Sequence, residues 1–194
     1  DADPNIPSLQ VGYERWGYGL KTRYEGSTFA LGGTAFAARD RDGRISFDID
    51  ALGIYPKGNI ALGLEGSLSL IKDLKLSLEY GLSRMQQDLR SAEVSYYHAL
   101  KADVSYSFVG NTLGVGYERI DPGYATLGAY YFNNDYENLT LNYSRSFFDS
   151  KLSLALSGGL QRDDLMGQKQ EHNKRFVGSA QVGFTPSEAL SASV

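Results

Sequence analysis

Charged and amide side chains recur at every second position along several segments of this sequence, each time opposite a run of apolar residues. In residues 74–85, Lys75 and Glu79 alternate with Leu76 and Leu78. Side chains two residues apart in a β-strand point to the same face, so one surface carries both charges. Such a surface can form cross-strand ion pairs, or it can select a passing solute by charge. Twelve residues share the pattern: Lys21, Arg23, Asp48, Asp50, Glu65, Lys75, Glu79, Lys101, Asp103, Glu118, Gln161 and Gln181.

Residues suited to catalysis or metal binding are few. The chain has two histidines and no cysteine, which excludes a thiolate metal site. His98 shares a strand face with apolar residues and His172 lies in a charged segment, and neither has the spacing to Ser and Asp of a catalytic triad. Asp163, Asp164 and residues 133–135 carry oxygen ligands for a cation, although loop carboxylates are usually just solvated. We therefore expect no enzyme, no metal and no cofactor.

Long strands with one apolar and one small or polar face must position these side chains. In residues 60–71, Leu62 and Leu64 share one face, while Gly63 and Glu65 share the other. Strands of water-soluble sheets usually have about five or six residues, whereas a tilted strand needs about 9–11 to cross a bilayer. The alternation therefore predicts an all-β fold, an antiparallel transmembrane β-barrel of about 12 strands, with the twelve charged and amide residues lining its lumen.

Tight turns and longer polar loops alternate between the predicted strands. Outer-membrane barrels pair short periplasmic turns with long external loops, which gives the two ends of the barrel their sides. The predicted strands cover residues 9–14, 17–25, 28–39, 45–50, 60–71, 74–85, 98–108, 112–119, 137–148, 151–162, 174–184 and 189–194, the first two of which can form one strand. The predicted turns are 72–73, 110–111, 149–150 and 186–187, and the predicted external loops are 86–93, 121–136 and 163–173.

Composition agrees with this architecture. The net charge is -4, with 19 basic and 23 acidic residues spread along the chain, so no basic surface for nucleic acid is expected. Aromatic residues near strand ends predict a girdle at the membrane interface, with a sugar-stacking platform as the alternative. The girdle set is Tyr55, Tyr96, Tyr97, Tyr130, Tyr131, Phe132, Tyr136, Phe147, Phe148 and Phe184.

The last predicted strand raises a question of completeness. If residues 186–187 form a periplasmic turn, that strand runs outward and Val194 ends on the external side. Closed single-chain barrels have an even number of strands, and an unpaired edge in lipid is prohibitive. We therefore expect residues 9–194 to form a barrel or a section of a larger one, preceded by an N-terminal extension at residues 1–8.

Three segments resemble a known group of proteins: YERIDPGYATLGAYYFNND at 117–135, LQRDDL at 160–165 and TPSE at 185–188. They are similar to the C-terminal part of large outer-membrane barrels of Gram-negative bacteria, from the lineage that uses gliding and type IX secretion machinery. The resemblance implies a β-barrel fold and an outer-membrane location. It implies no functional residue.

Two functions follow from the pattern. The first is an outer-membrane pore or translocation channel for solutes or proteins, with the lipid bilayer as its surroundings. The second is a structural or assembly barrel with a plugged lumen that binds partner proteins through its external loops. A soluble lipocalin-like barrel fits less well, because its interior should be apolar. A protein partner, or further strands that close the barrel, is expected in either case.

Overall fold

The computed structural model describes residues 13–41, 53–129, 133–148, 151–167, 173–187 and 190–193, the backbone alone for 186–187 and 190–193. Ten β-strands are present in these residues. Their bounds are β1 Arg15–Glu25, β2 Phe29–Asp40, β3 Gly58–Ile71, β4 Leu74–Gln86, β5 Ser95–Phe108, β6 Asn111–Ile120, β7 Tyr136–Phe147, β8 Leu152–Asp163, β9 Lys174–Ser187 and β10 Leu190–Ser193.

The strands form one antiparallel sheet in which each pairs with its neighbours in sequence, in the order β1 to β10. Within the described residues, β1 pairs only with β2 and β10 only with β9. Strands β1 to β9 contain 10–14 residues each, which is the length of membrane-crossing strands. The predicted all-β antiparallel class is confirmed, in the form of one sheet that is open in the described residues. No helix among the described residues is long and apolar enough to cross a membrane.

Connections at the two ends of the sheet differ in length, as the sequence predicts. Residues 72–73 and 109–110 form two-residue turns at one end, whereas residues 87–94 and 121–135 connect strands at the other. We call these the turn end and the loop end. At the β5–β6 turn, Val109 and Gly110 have φ values of 42° and 75°, the left-handed values that a tight hairpin turn requires.

Alternation divides the sheet into an apolar face and a polar face. Apolar-face side chains are exposed although they are large: Leu20 is 73% exposed, Leu64 66% and Leu160 66%. The few buried apolar residues, such as Ala61, Met85 and Ile120, lie toward the loop end. Throughout the described residues, the apolar face is therefore not covered by other parts of the chain, in contrast to a soluble sheet that packs one face into a core.

Several strand predictions differ from the structure in detail. The predicted strand 17–25 begins two residues earlier, at Arg15, and residues 13–14 precede it outside any strand. The predicted strand 45–50 and the extension 1–8 lie outside the described residues. Residues 186–187 continue β9 instead of forming the predicted turn. The predicted 110–111 turn is displaced by one residue, because the Asn111 side-chain amide donates hydrogen bonds to the Phe108 and Val109 carbonyls at 3.0 Å.

Candidate functional site: the polar face and its inner loop

Strand register aligns charged and amide side chains from eight strands in a single row across the polar face. Each residue lies directly opposite the next on the neighbouring strand, except that Gly32 of β2 stands between Arg23 and Glu65. We call this set the polar row. It consists of Arg23, Glu65, Glu79, Lys101, Glu118, Asn138, Gln161 and Arg175.

The structure brings together half of the residues singled out by the sequence. Six of the twelve belong to the polar row, namely Arg23, Glu65, Glu79, Lys101, Glu118 and Gln161. Lys21, Lys75, Asp103 and Gln181 lie on the same face at other levels. Asp48 and Asp50 lie outside the described residues. Asn138 and Arg175 were not predicted from the sequence, because only the strand register shows that they belong to the polar row.

Charge pairing in the polar row is concentrated at its β1–β3 end. The Glu65 carboxylate lies 3.1 Å from Arg23 Nη1 and 3.5 Å from Lys21 Nζ. Because Gly32 has no side chain, Glu65 can reach across β2 toward β1: a Cβ at Gly32 would lie 2.5 Å from Glu65 Cγ. This glycine therefore makes room for the ion pair.

The centre of the polar row has a different charge arrangement. Lys101 lies directly between Glu79 and Glu118 in register, and Glu79 lies opposite Glu65. Within the described part of the chain, Lys101 forms no ion pair within 4 Å with either neighbour. Lys101 and Glu79 are exposed, so their charges remain available to solvent and solutes.

Toward the turn end, the polar face carries hydroxyl and amide groups. Ser105, Asn142, Ser157 and Ser179 line one shallow cleft. The Ser157 hydroxyl donates a hydrogen bond to Asn142 Oδ1 at 2.7 Å. Asp103 lines the same cleft, so hydroxyl and amide groups surround a single carboxylate there, whereas the polar row carries several charges side by side.

Toward the loop end, residues 121–129 fold back over the polar face. We call this segment the inner loop. Ser83 Oγ donates to the Ala125 carbonyl at 2.6 Å, and the Leu127 amide donates to Asn59 Oδ1 at 3.2 Å. Asn59 Nδ2 in turn donates to Ser83 Oγ at 2.9 Å. Asn59 and Ser83 are 2% and 0% exposed, so a buried polar network fixes the loop to β3 and β4.

Small residues of the strands leave the space that the inner loop occupies. Tyr124 is 7% exposed and lies over Gly81, where a Cβ would stand 2.5 Å from the tyrosine hydroxyl. The burial raises the pKa of Tyr124 above its usual value of 10.0 because desolvation disfavours the phenolate. Gly123 and Gly128 lie against the rings of Tyr97 and Phe36. The sequence predicts 121–136 as a long polar loop on the external side. The described residues 121–129 do lie at the loop end, but they fold back over the polar face and contact β3 and β4.

A cleft of about 290 Å³ lies between the inner loop and the polar row. Its lining includes Tyr124 from the loop and Glu65, Glu79, Lys101 and Glu118 from the row. The inner loop thus narrows the space above the polar face at the level of the exposed charges.

Substitution of Gly81 tests how the loop is seated. Gly81→Ala is expected to push Tyr124 off the sheet, since overpacking costs about 1–3 kcal/mol. Labelling of a Thr126→Cys side chain by a water-soluble maleimide should become roughly tenfold faster, because the native chain has no cysteine and the released loop is open more often. Gly63→Ala is the matched control, because Gly63 lies opposite Gly81 and its nearest contact would be an ordinary 3.6 Å. Equal labelling of both variants would contradict the seating.

Other predicted groups have structural partners. His98 lies on the apolar face with its Nδ1 at 2.6 Å from the Tyr80 hydroxyl. Asp135 and Asp163 accept backbone hydrogen bonds from Leu165 and Asn173 at 2.9 and 2.8 Å and so fix loops. No group of three His, Asp or Glu suited to a metal is found in the described ranges. His172 lies outside them.

The residues of the predicted aromatic girdle lie on both faces of the sheet. Tyr96 and Phe184 lie on the apolar face and are 58% and 49% exposed. Tyr97 and Tyr136 lie on the polar face instead, because the alternation turns them away from Tyr96 and Glu137. Residues 130–132 lie outside the described part of the chain.

Comparison with known proteins gives little beyond the geometry. No protein-family model matches the chain, and no curated protein matches it. Among solved structures, Pseudomonas aeruginosa OccK5 (OpdH) matches 85% of this chain with 15% sequence identity and a TM-score of 0.47. The chain spans about half the length of that protein, 51% of it. No residue role or activity is carried from that protein to this one.

Proposed function

We propose that this chain forms wall of an outer-membrane β-barrel and that its polar face lines a passage for solutes. The observation that carries the proposal is the exposed polar row beneath an inner loop that is anchored by buried hydrogen bonds. The exposed apolar face supports the membrane setting, since large apolar surfaces exposed on every second residue are suited to lipid. Residues 9–194 are proposed to belong to this one wall.

The mechanism is discrimination by charge at a narrowed level. A permeating solute exchanges part of its water shell for the hydroxyl groups of Ser105 and Ser157, and then for the charges of the polar row. Two carboxylates flank Lys101, and Glu65 is neutralised by Arg23. The central charges are therefore net acidic, and we expect a preference for cationic or dipolar solutes over anions.

The alternative is a structural barrel whose lumen is plugged and whose external loops bind partner proteins. The inner loop is the observation that favours it, because a loop seated on the polar face can also close the lumen. The gliding and type IX secretion lineage stays a prediction carried by the three quoted segments. A protein as the transported species belongs to that prediction.

Reversing the charge at the centre of the polar row tests whether this row lines the path of the solute. Lys101→Glu is expected to raise the cation-to-anion permeability ratio by roughly fivefold or more, because one charge a few ångströms from a hydrated ion is worth about 1 kcal/mol. The measurement is the reversal potential of the refolded protein in a planar bilayer under a KCl gradient. Lys72→Glu makes the same charge change in the β3–β4 turn, and it should leave the ratio almost unchanged.

Conductance in the same bilayers separates the two functions. Stepwise currents from a compact, heat-modifiable species support the passage. A compact species without current supports the plugged alternative. A permeability ratio that responds equally to Lys101→Glu and Lys72→Glu would show that the polar row does not face the conducting path.

A further inference from the structure

Cationic side chains on the apolar face are concentrated at the loop end of the sheet. Five of them lie within three residues of that end of their strands, and the register places all five on the same face as the exposed leucines: Arg39, Arg84, Arg119, Arg162 and Lys174. At the turn end of the described strands the apolar face carries one cation, Arg145, which lies 4.6 Å from the centre of the Phe147 ring. The distribution is therefore strongly asymmetric.

Three of these cations form a cluster, in which Arg119 and Arg162 lie beside the Glu137 carboxylate and Lys174 stands opposite Arg162. Arg119, Glu137, Arg162 and Lys174 stand directly opposite one another on β6 to β9. The Glu137 carboxylate accepts hydrogen bonds from Arg162 Nε and from the Tyr117 hydroxyl, the latter at 2.6 Å. Arg119 Nη1 lies 3.8 Å from the same carboxylate.

The cluster holds more positive charge than Glu137 can neutralise. The side chains of Arg119 and Arg162 are 43% and 53% exposed, whereas Glu137 is 19% exposed. A second carboxylate, that of Asp121, lies 3.9 Å from Arg119. Glu137 thus orients two guanidinium groups beside Lys174 and leaves a net positive surface with donors to spare. A planar guanidinium pair is suited to phosphate oxygens.

The residues next to the cluster are apolar and exposed, which favours a lipid over a free anion as its ligand. The next row toward the turn end is Tyr117, Leu139, Leu160 and Phe176, in direct register. Leu139 is 50% exposed and Phe176 73%. An anion held by the cluster would therefore stand above an exposed apolar strip that matches acyl chains.

We propose that Arg119, Arg162 and Lys174 bind the phosphate of a membrane lipid, with its acyl chains along Leu139, Leu160 and Phe176. The proposal rests on the membrane setting of the proposed function and is independent of the passage. Basic side chains close to the membrane surface attract anionic lipid headgroups. Because the site lies at the loop end, the lipid belongs to the leaflet that the long loops face.

Native mass spectrometry of the refolded protein with dioleoyl phosphatidic acid in zwitterionic detergent tests the site. The native chain should retain the lipid, and the Arg119→Gln/Arg162→Gln double variant should bind it roughly tenfold more weakly or worse. Arg145→Gln is the matched control on the apolar face, and it should bind as the native chain does. Glu137→Gln should bind more tightly, because the competing carboxylate is removed; damage to the fold would not produce this gain.

Three results would overturn the proposal: equal binding by the double variant, equal weakening by Arg145→Gln, or displacement of the lipid by an equal concentration of inorganic phosphate. The last would show an anion site that does not need the acyl chains. Conductance of the double variant should match that of the native chain. A native chain that conducts but does not retain the lipid would refute this site alone, whereas a native chain that retains the lipid but does not conduct would refute the passage alone.

Discussion

Replacement of Leu141 with arginine is expected to lower the stability of the folded protein in a bilayer by about 2–4 kcal/mol, the cost of a cation near the midplane of a barrel's lipid face. Leu141 lies in the middle of β7, opposite Val115 and Gly158, and is 55% exposed on the apolar face. In water such an exposed position would tolerate arginine with little loss. The size of the stability loss therefore shows whether the apolar face contacts lipid or water.

The neighbouring residue provides the matched control. Asn142 lies on the polar face opposite Gly114 and Ser157. Asn142→Arg should cost less than about 1 kcal/mol if that face meets water. Urea unfolding in dilauroyl phosphatidylcholine vesicles, followed by the fluorescence of the single Trp16, measures both. Equal losses at 141 and 142, or a larger loss at 142, would contradict the assignment of the two faces.

Releasing the inner loop should have the second large effect, on current. Asn59→Leu keeps the volume but removes both polar groups that link the Leu127 amide to Ser83. Because Asn59 is 2% exposed, the orphaned groups cost about 1–3 kcal/mol. The loop can recover solvation only by leaving the polar face. We expect the narrowed level to widen and the single-channel conductance to increase by about twofold or more, since pore diameter limits the current.

Asn142→Leu controls for this substitution, because Asn142 bonds to Ser157 on the same face, away from the inner loop. It should change the conductance by much less than Asn59→Leu does. The comparison is made on single channels of each refolded variant at one KCl concentration. An unchanged or smaller conductance in Asn59→Leu would show that the inner loop does not narrow the conducting path.

Strand positions could be predicted from sequence because alternation is a local property. Predicted strand 74–85 and observed β4, Leu74–Gln86, differ by one residue. The prediction fails at the start of β5, Ser95–Phe108, because adjacent Tyr96 and Tyr97 place an aromatic ring on each face and hide the alternation. The polar face of the candidate site was therefore predictable strand by strand.

The polar row and the inner loop depend on relations between distant segments, which a single sequence does not display. That Lys101 lies opposite Glu79 and Glu118 can be inferred only when the strand registers of β4–β5 and β5–β6 are known. A loop containing Pro122 and Gly123 has the composition of an exposed turn. Its burial depends on Gly81, together with Asn59 and Ser83, on strands that are far away in sequence.

Thiol block of a single channel tests the central claim most directly. The chain has no cysteine, so Glu79→Cys and Leu78→Cys each introduce one thiol, on the polar and the apolar face of β4 respectively. A bulky, water-soluble methanethiosulfonate reagent is added during recording in a planar bilayer. The account predicts a stepwise fall in current for Glu79→Cys and no change for Leu78→Cys. Block of Leu78→Cys with Glu79→Cys unaffected, or no current from a compact species, would contradict it.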